Sequence, residues 1–414
     1  MTKQMPPRYS DTDVTSIEQP DQGVAPGTGS HYVRGNGPIP ALDLFCGGGG
    51  ASLGMLFTPD VEIALGVDHN EQAVETYRRN FNHPVVQHDL TDISLHVLRE
   101  HMVPEYTLND ILWVHGSPPC TGFSDARGAT DVLRDENTLI ETFIDWVNRI
   151  KPAVVTMENV PGMAHNADGA VMEYLEDAFW ANGYCLEWEV LDAAKYGVPQ
   201  HRERLIAMAV PSGANTTAKY WFPQQTHAAG KQQTLASSAT ELSSYVTTHD
   251  AIDDLPHPRN DKTIEECAET RLVGTIPNHE PAAHTAETRE YFAEFSQGET
   301  KDSVTARRLA PDVPAPTMSV SNGTPPIHYA GDAESARRLT VREVARLQGF
   351  PDSFEFHGPK TAQFRVAGNA VPPRLQRCVA AGVKRNLSAL SNREVPYDLR
   401  GYTPPNGGRV PNPP

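Results

Sequence analysis

The sequence predicts an α/β protein, a mostly parallel β-sheet with helices on both faces, joined to a smaller irregular region. Three observations predict it. Short apolar runs alternate with helical patterns over the first half of the chain, the signature of strands linked by helical crossovers. A run of four glycines, Gly47 to Gly50, follows the first apolar run at once. From about Pro211 to Tyr329 the pattern turns polar and rich in Thr, Ser, His and Pro, and regular periodicity returns at Arg337.

Taken in order, the strand candidates are Ala41–Phe45, Glu62–Val67, Val85–His88, Ile111–His115, Ala153–Met157, Leu186–Leu191 and Leu205–Ala209. Helical spacing occupies Glu71–Phe81, Thr138–Ile150 and Val171–Ala181 between them. Arg337–Gly349 reads as a helix with Thr340 as N-cap, its Leu339, Val341, Val344, Ala345 and Leu347 sharing largely one face. Pro373–Leu390 reads as another helix. Residues 1–38 and 393–414 are rich in Pro, Gly and polar side chains without periodicity, so disordered tails are expected there. The organisation expected is a sheet layer over 39–210, an irregular domain over 211–330, and a return to the sheet layer over 331–392.

At 414 residues the chain can hold one large domain and a smaller one. No stretch is long and apolar enough to cross a membrane, and the first residues lack the apolar core of a secretory signal, so a cytoplasmic protein is expected. Five cysteines, Cys46, Cys120, Cys185, Cys267 and Cys378, form no Cys-x-x-Cys pair, which argues against both a disulfide framework and a metal site. The formal net charge of -17 disfavours polyanion binding by bulk attraction. A cleft lined with Arg can still be locally positive, and the basic residues are mostly Arg rather than Lys. The same charge balance predicts a host with high internal salt, in which activity would survive molar KCl.

The chemistry-bearing residues gather at predicted strand ends. Phe45-Cys46-Gly47-Gly48-Gly49-Gly50 makes a strand-to-helix turn that lets a ligand approach the backbone, an arrangement open to a nicotinamide enzyme as well. The second strand ends in Asp68-His69-Asn70 and the third in His88-Asp89, so two carboxylates can join the glycine loop around a nucleoside, or can simply be solvated turn residues. The fourth strand runs into Gly116-Ser117-Pro118-Pro119-Cys120-Thr121-Gly122-Phe123-Ser124, where two prolines fix the backbone before a cysteine. The fifth delivers Glu158-Asn159-Val160, and a partly buried Glu158 could donate a proton. Gln200-His201-Arg202-Glu203-Arg204 places Arg202 and Arg204 on one strand face, where they could clamp an anion or a base oxygen, or, taken singly, simply be solvated surface side chains.

In this order FCGGGG, GVDHN, SPPCTGFS, ENV, QHRER, LQGFPDSF and GNAVPP resemble the motifs of the cytosine-5 DNA methyltransferases, over about residues 41–210 and 337–385. The resemblance implies a Rossmann-like S-adenosyl-L-methionine-dependent methyltransferase fold, with a target-recognition domain over 211–330. It implies Cys120 as the nucleophile toward carbon 6 of cytosine, Glu158 at ring nitrogen 3, and Arg202 and Arg204 near the base carbonyl and the adjoining phosphate or loop. For the cofactor it implies Phe45 against adenine, Gly47 and Gly49 under the methionine part, Asp68 on the ribose, Asp89 at the adenine amine, and Asn369 and Ala370 beside them. His69 stands where an aromatic residue can stack on adenine. The partner implied is double-stranded DNA, from which the cytosine is flipped, with the loop from Cys120 through Arg134 as a lid. A monomer bound to nucleoid DNA is expected, with or without a separate cognate restriction endonuclease. The segments Phe222–His227 and Pro277–His279 resemble structural flanks of the recognition domain. Three other readings stand beside this one: tRNA cytosine methylation, a catalytically silent nucleic-acid-binding relative, and a nicotinamide oxidoreductase.

Overall fold

The structure is a computed structural model that describes residues 37–119, 137–165, 169–212, 222–230, 232–233, 241–256, 258, 276–301, 306–318 and 323–390. Both expected tails, save for residues 37 and 38, lie outside these residues, as do Cys120 and the expected lid through Arg134.

Seven strands, β1 (Ile39–Leu44), β2 (Val61–Asp68), β3 (Val85–Gln87), β4 (Trp113–Gly116), β5 (Val154–Asn159), β6 (Tyr184–Asp192) and β7 (Glu203–Pro211), form one sheet in the order β3-β2-β1-β4-β5-β7-β6. Pairings from β3 through β5 are parallel, and β7 runs antiparallel to both β5 and β6. All seven expected strands are present, with ends that differ by a residue or two. The strand order reverses between β1 and β4, whose carboxyl ends therefore open a crevice, the usual ligand position in such sheets.

Alternation along the strands explains why the sheet is covered twice. Leu42, Leu44, Leu65, Val67 and Val114 face one core with Phe143 and Trp146 of α4 (Asn137–Ile150) and Leu175 and Phe179 of α6 (Ala170–Ala181). Ala41, Ile63, Trp113, Val154 and Met208 face the other, against Met55 of α1 (Gly50–Leu56) and Leu375, Val379 and Val383 of α11 (Pro373–Leu390). Helices α1 and α11 approach so closely that a Cβ on Gly54 would lie 2.3 Å from the Pro373 carbonyl oxygen. Only glycine fits there.

The remaining helices are α2 (Glu71–Asn80), α3 (Leu95–His101), the short α5 (Gly162–His165), α7 (Thr248–Ile252), α8 (Ala286–Ala293), α9 (Val341–Leu347) and α10 (Lys360–Asn369). Helix α9 is shorter than expected but starts at Thr340, whose capping box with Glu343 satisfies the first turn. Helices α3 and α10 were not expected from periodicity. The described parts of the middle region include a small sheet ordered β8-β10-β9 from β8 (His227–Ala228), β9 (Gln232–Gln233) and β10 (Glu241–Ser244). Buried arginines hold the region: Arg308 donates to the carbonyls of Tyr329, Phe295 and Gly331, and Arg342 to those of Pro277, Pro351 and Phe354. Asn278 and His279 are structural too, bonded to Phe356 and to Thr340 and Pro256. A third core joins Ala251, Leu309 and Met318 to Val344, Phe350 and Phe364, tying the middle region to α9 and α10.

Candidate active site

A cavity of about 480 Å³ opens at the carboxyl ends of β1, β2, β4 and β5. That volume lies within the range of roughly 300–1,000 Å³ typical of small-molecule sites. One wall is the turn after β1. Phe45 adopts φ 59° and Gly47 φ 53°, and a Cβ on Gly47 would meet nothing within 4 Å, so the turn leaves the cavity floor open. Asp68, at the end of β2, receives the backbone N–H of Gly47 at 2.8 Å and that of Asn70 at 2.8 Å, one on each carboxylate oxygen. These two bonds hold the acid at the rim, with further lone pairs available to a ligand diol. His69 lines the same rim, with a largely exposed ring 3.7 Å from Asp68.

The opposite wall comes from far along the chain. Ala362, Arg365, Val366 and Asn369 recur at helical spacing on α10, so one face of that helix borders the cavity, followed by Ala370 and Val371. Val366 is pressed on the glycine loop, since a Cβ on Gly48 would lie 2.4 Å from its Cγ1.

Ser117, Pro118 and Pro119 continue β4 into the cavity beside Glu158, Asn159 and Val160 of the β5 end. Asn159 donates from Nδ2 to the Pro118 carbonyl at 3.1 Å and accepts the Val160 N–H on Oδ1, which fixes the proline loop to β5. Glu158 is buried and its Oε1 lies 2.8 Å from Arg204 Nε, so the carboxylate stands in an ion pair. Arg202, 2% exposed, bonds the Ala370 carbonyl through Nη2 at 3.3 Å, while its Nε has no hydrogen-bond partner among the described residues. Burial, and then the neighbouring Arg204, pull its pKa well below the ordinary guanidinium value, with Glu158 opposing. An orphaned N–H on a buried cation invites an acceptor or anion from a ligand.

The structure thus gathers Phe45, Gly47, Asp68, His69, Glu158, Arg202, Arg204, Asn369 and Ala370 around one cavity. Two expected ligands stand apart from the lining. Asp89 is exposed, and its Oδ1 closes a turn by accepting the Thr91 N–H and hydroxyl, bonds that lower its pKa. Gly49 caps α1 with φ 94° and faces inward, where a Cβ would lie 2.3 Å from the Phe81 ring; its need is for packing. Sequence reasoning passed over Ser117, Asn159 and Arg365. Asn159 could have been found from its place in the ENV motif, whereas Arg365 lies on a helix that periodicity did not mark.

The residues present fit S-adenosylmethionine: a carboxylate for a ribose, an aromatic wall for a purine, an open glycine floor and cationic groups for a carboxylate. Beneath that floor Asp43 is fully buried, receives the Ser52 hydroxyl at 2.5 Å, and has its pKa pushed up to about 7 by burial. Ser52 continues to Tyr77 Oη at 2.6 Å and Tyr77 to His83 Nε2 at 2.7 Å. Among the described residues no cluster of His, Cys, Asp and Glu could hold a metal ion, and no helix is long and apolar enough to cross a membrane.

The profile of the C-5 cytosine-specific DNA methylase family matches residues 39–385. Type II methyltransferase M1.HphI of Haemophilus parahaemolyticus is 33% identical over 353 residues, covering 83% of this chain and 86% of that enzyme. M.Eco47II of Escherichia coli is 30% identical over 368 residues, covering 86% and 82%. Among solved structures, a prophage-encoded E. coli protein assigned to the DNA modification methyltransferases superposes with a TM-score of 0.63 at 25% identity, covering 84% of this chain and 99% of its own. The Dnmt2 methyltransferase of S. pombe, at 16% identity and a TM-score of 0.51, shares the fold. A nicotinamide oxidoreductase has no place in this set. The chain belongs to the C-5 cytosine-specific DNA methylase family and is an S-adenosyl-L-methionine-dependent DNA (cytosine-5) methyltransferase.

Proposed function

We propose that the cavity is the methyl-transfer site, with Cys120 as nucleophile, and that the enzyme acts on a cytosine flipped out of duplex DNA. The observation that carries this reading is the Glu158–Arg204 ion pair beside the Pro118-Pro119 loop, with Arg202, whose Nε has no hydrogen-bond partner among the described residues, lining the same cavity. Cys120, the residue after Pro119, gives up its thiol proton to solvent, and the thiolate sulfur bonds to carbon 6 of the ring. Glu158 takes up a proton from solvent as the base enters and passes it to nitrogen 3, so the adduct is a neutral enamine, nucleophilic at carbon 5, rather than an anionic ring. Arg204 orients Glu158 and, with Arg202, offers N–H groups to the base carbonyl. S-adenosylmethionine supplies the methyl group when bound. Phe45, Gly47, Asp68, His69, Asn369 and Ala370 hold it, in the roles of purine wall, open floor, ribose acceptor and rim. Once carbon 5 carries the methyl group, loss of its proton to solvent, departure of the Cys120 sulfur as thiolate and return of the nitrogen-3 proton to Glu158 restore the aromatic ring.

Residues 211–330 are read as the target-recognition domain, and the protein as a cytoplasmic monomer acting on nucleoid DNA, a type II modification enzyme with or without a separate cognate endonuclease. The size of the middle region favours duplex DNA over tRNA. The test is covalent trapping on duplex DNA containing 5-fluorocytosine, whose fluorine cannot leave as a proton does. A complex that needs both cofactor and Cys120, and is lost in Cys120→Ser while cofactor binding persists, is the expected result. Trapping by Cys120→Ser, or none by the native enzyme on DNA methylated at a fixed site in cells, overturns the mechanism.

A further inference from the structure

Behind the cavity wall a row of polar side chains crosses the sheet. Register sets Asp43 of β1 beside His115 of β4, and His115 beside Thr156 of β5, and none of the three is more than 1% exposed. The hydrogens around His115 follow by elimination. The Trp113 indole can only donate, so Thr156 Oγ1 accepts it at 2.8 Å. The Thr156 hydroxyl hydrogen then serves its other partner among the described residues, His115 Nδ1, also at 2.8 Å. The Gln376 amide nitrogen, 3.4 Å from that same Nδ1, adds a second donor. Nδ1 is therefore the acceptor of the ring. Burial pushes the His115 pKa down to about 3, so the imidazole is neutral and its one proton sits on Nε2.

Nε2 lies 3.3 Å from Ser117 Oγ. Ser117 therefore accepts from His115, and its own hydroxyl hydrogen is turned elsewhere. Its backbone cannot drift, because the Ser117 N–H is tied to the Leu44 carbonyl at 3.2 Å. Ser117 lines the cavity between the glycine loop and Glu158. A hydroxyl whose oxygen is already engaged from behind presents a donor to the space in front.

We propose that Ser117 is a ligand-contacting hydrogen-bond donor of the site, oriented by His115 as a positioning residue, and that its partner is an acceptor oxygen of a bound ligand. Two oxygens offer that chemistry, the carboxylate of the methyl donor and the carbonyl of the flipped cytosine. The proposal rests on the reading of the cavity as the methyl-transfer site.

Two measurements on Ser117→Ala separate the sources. One is the calorimetric dissociation constant of S-adenosylhomocysteine, which keeps the carboxylate, without DNA. The other is kcat and KM for duplex DNA at saturating cofactor. A loss of about tenfold in the first alone identifies the carboxylate, and in the second alone the base carbonyl, as expected for one hydrogen bond of this kind. Ser117→Thr, which keeps the hydroxyl, restores the affected quantity. Thr156→Val removes the hydrogen that fixes the His115 tautomer, so it lowers the same quantity and adds nothing when combined with Ser117→Ala; Thr156→Ser restores it. Ser117→Ala with both quantities unchanged, or losses from Thr156→Val and Ser117→Ala that multiply, overturns the proposal. Failure of the underlying reading shows separately, as native enzyme that forms no Cys120-dependent complex on 5-fluorocytosine DNA.

Discussion

Replacing Asp43 by Asn changes how stability depends on pH. Asp43 is fully buried at the end of β1, with Ser52 donating to Oδ2 and with Oδ1 lacking a partner among the described residues. Its pKa rises from 3.8 to about 7, chiefly by burial and further by the charge of Asp68, against the lowering bond from Ser52. The native state thus holds a proton that the unfolded chain has already released between those two values. Native protein binds more protons than unfolded in that window, so this group makes stability fall as pH rises through it. At 1.36 kcal/mol per pH unit, a shift of this size corresponds to about 4 kcal/mol in all, of which about 2–3 kcal/mol is lost between pH 5 and 8. The amide side chain of the Asp43→Asn variant has no such proton to lose. Urea unfolding of both proteins at pH 5, 6, 7 and 8 measures the difference directly, since the other titrating groups are common to both. The expected result is Asp43→Asn gaining on the native protein by about 2–3 kcal/mol across that range. Parallel curves would mean that Asp43 titrates near its unfolded value, and the account of its burial would fail.

Glu158→Gln keeps the shape of the side chain but has no proton to give nitrogen 3. Its kcat should fall by about 10²–10⁴-fold, with S-adenosylhomocysteine affinity unchanged; a loss confined to KM would refute the role. Gly48→Ala drives a methyl into Val366 Cγ1, 2.4 Å away, and should weaken cofactor binding by pushing α10 off the glycine loop. The overpacking costs about 1–3 kcal/mol, and Val366→Ala in the same chain should recover most of it. Burial lowers the pKa values of His83, His115 and His328 from 6.5 to about 4, 3 and 4. The unfolded chain takes up protons there that the native state refuses, so stability is lost as pH falls from 6.5 toward 4. Substituting Gln for His83 should flatten that acid limb of the thermal unfolding profile.

The sheet was legible because its inner strands are buried on both faces and bounded by turn residues. Runs such as Ala-Leu-Asp-Leu and Val-Val-Thr-Met have no other stable place. Helix α3 escaped notice because only Leu98 of its seven residues is buried, leaving no apolar stripe to read. Helix α10 escaped for another reason: it buries Phe364, Ala367 and Gly368 alone and ends in Gly-Asn shortly before two prolines, chemistry that reads as loop. Within the site, Glu158 and Arg204 were visible as residue types at strand ends. The Ser117–His115 contact was not, because the partners that set the imidazole tautomer, Thr156 and Gln376, lie 41 and 261 residues away in sequence. Asp89 stands apart from the cavity lining for a local reason, since Thr91 two residues on bonds its Oδ1.

The two walls of the cavity belong to opposite ends of the described chain, Phe45 to Ala73 on one side and Ala362 to Val371 on the other. During synthesis the glycine loop leaves the ribosome roughly three hundred residues before the helix that presses Val366 against it. A nascent chain therefore carries the proline loop and Glu158 long before the cavity read as the methyl donor's has its second wall. Timing is thus built into the connectivity: the cavity is completed only when translation has passed the middle region that is read as choosing the target, so a truncated product lacking that region also lacks the second wall of the cavity.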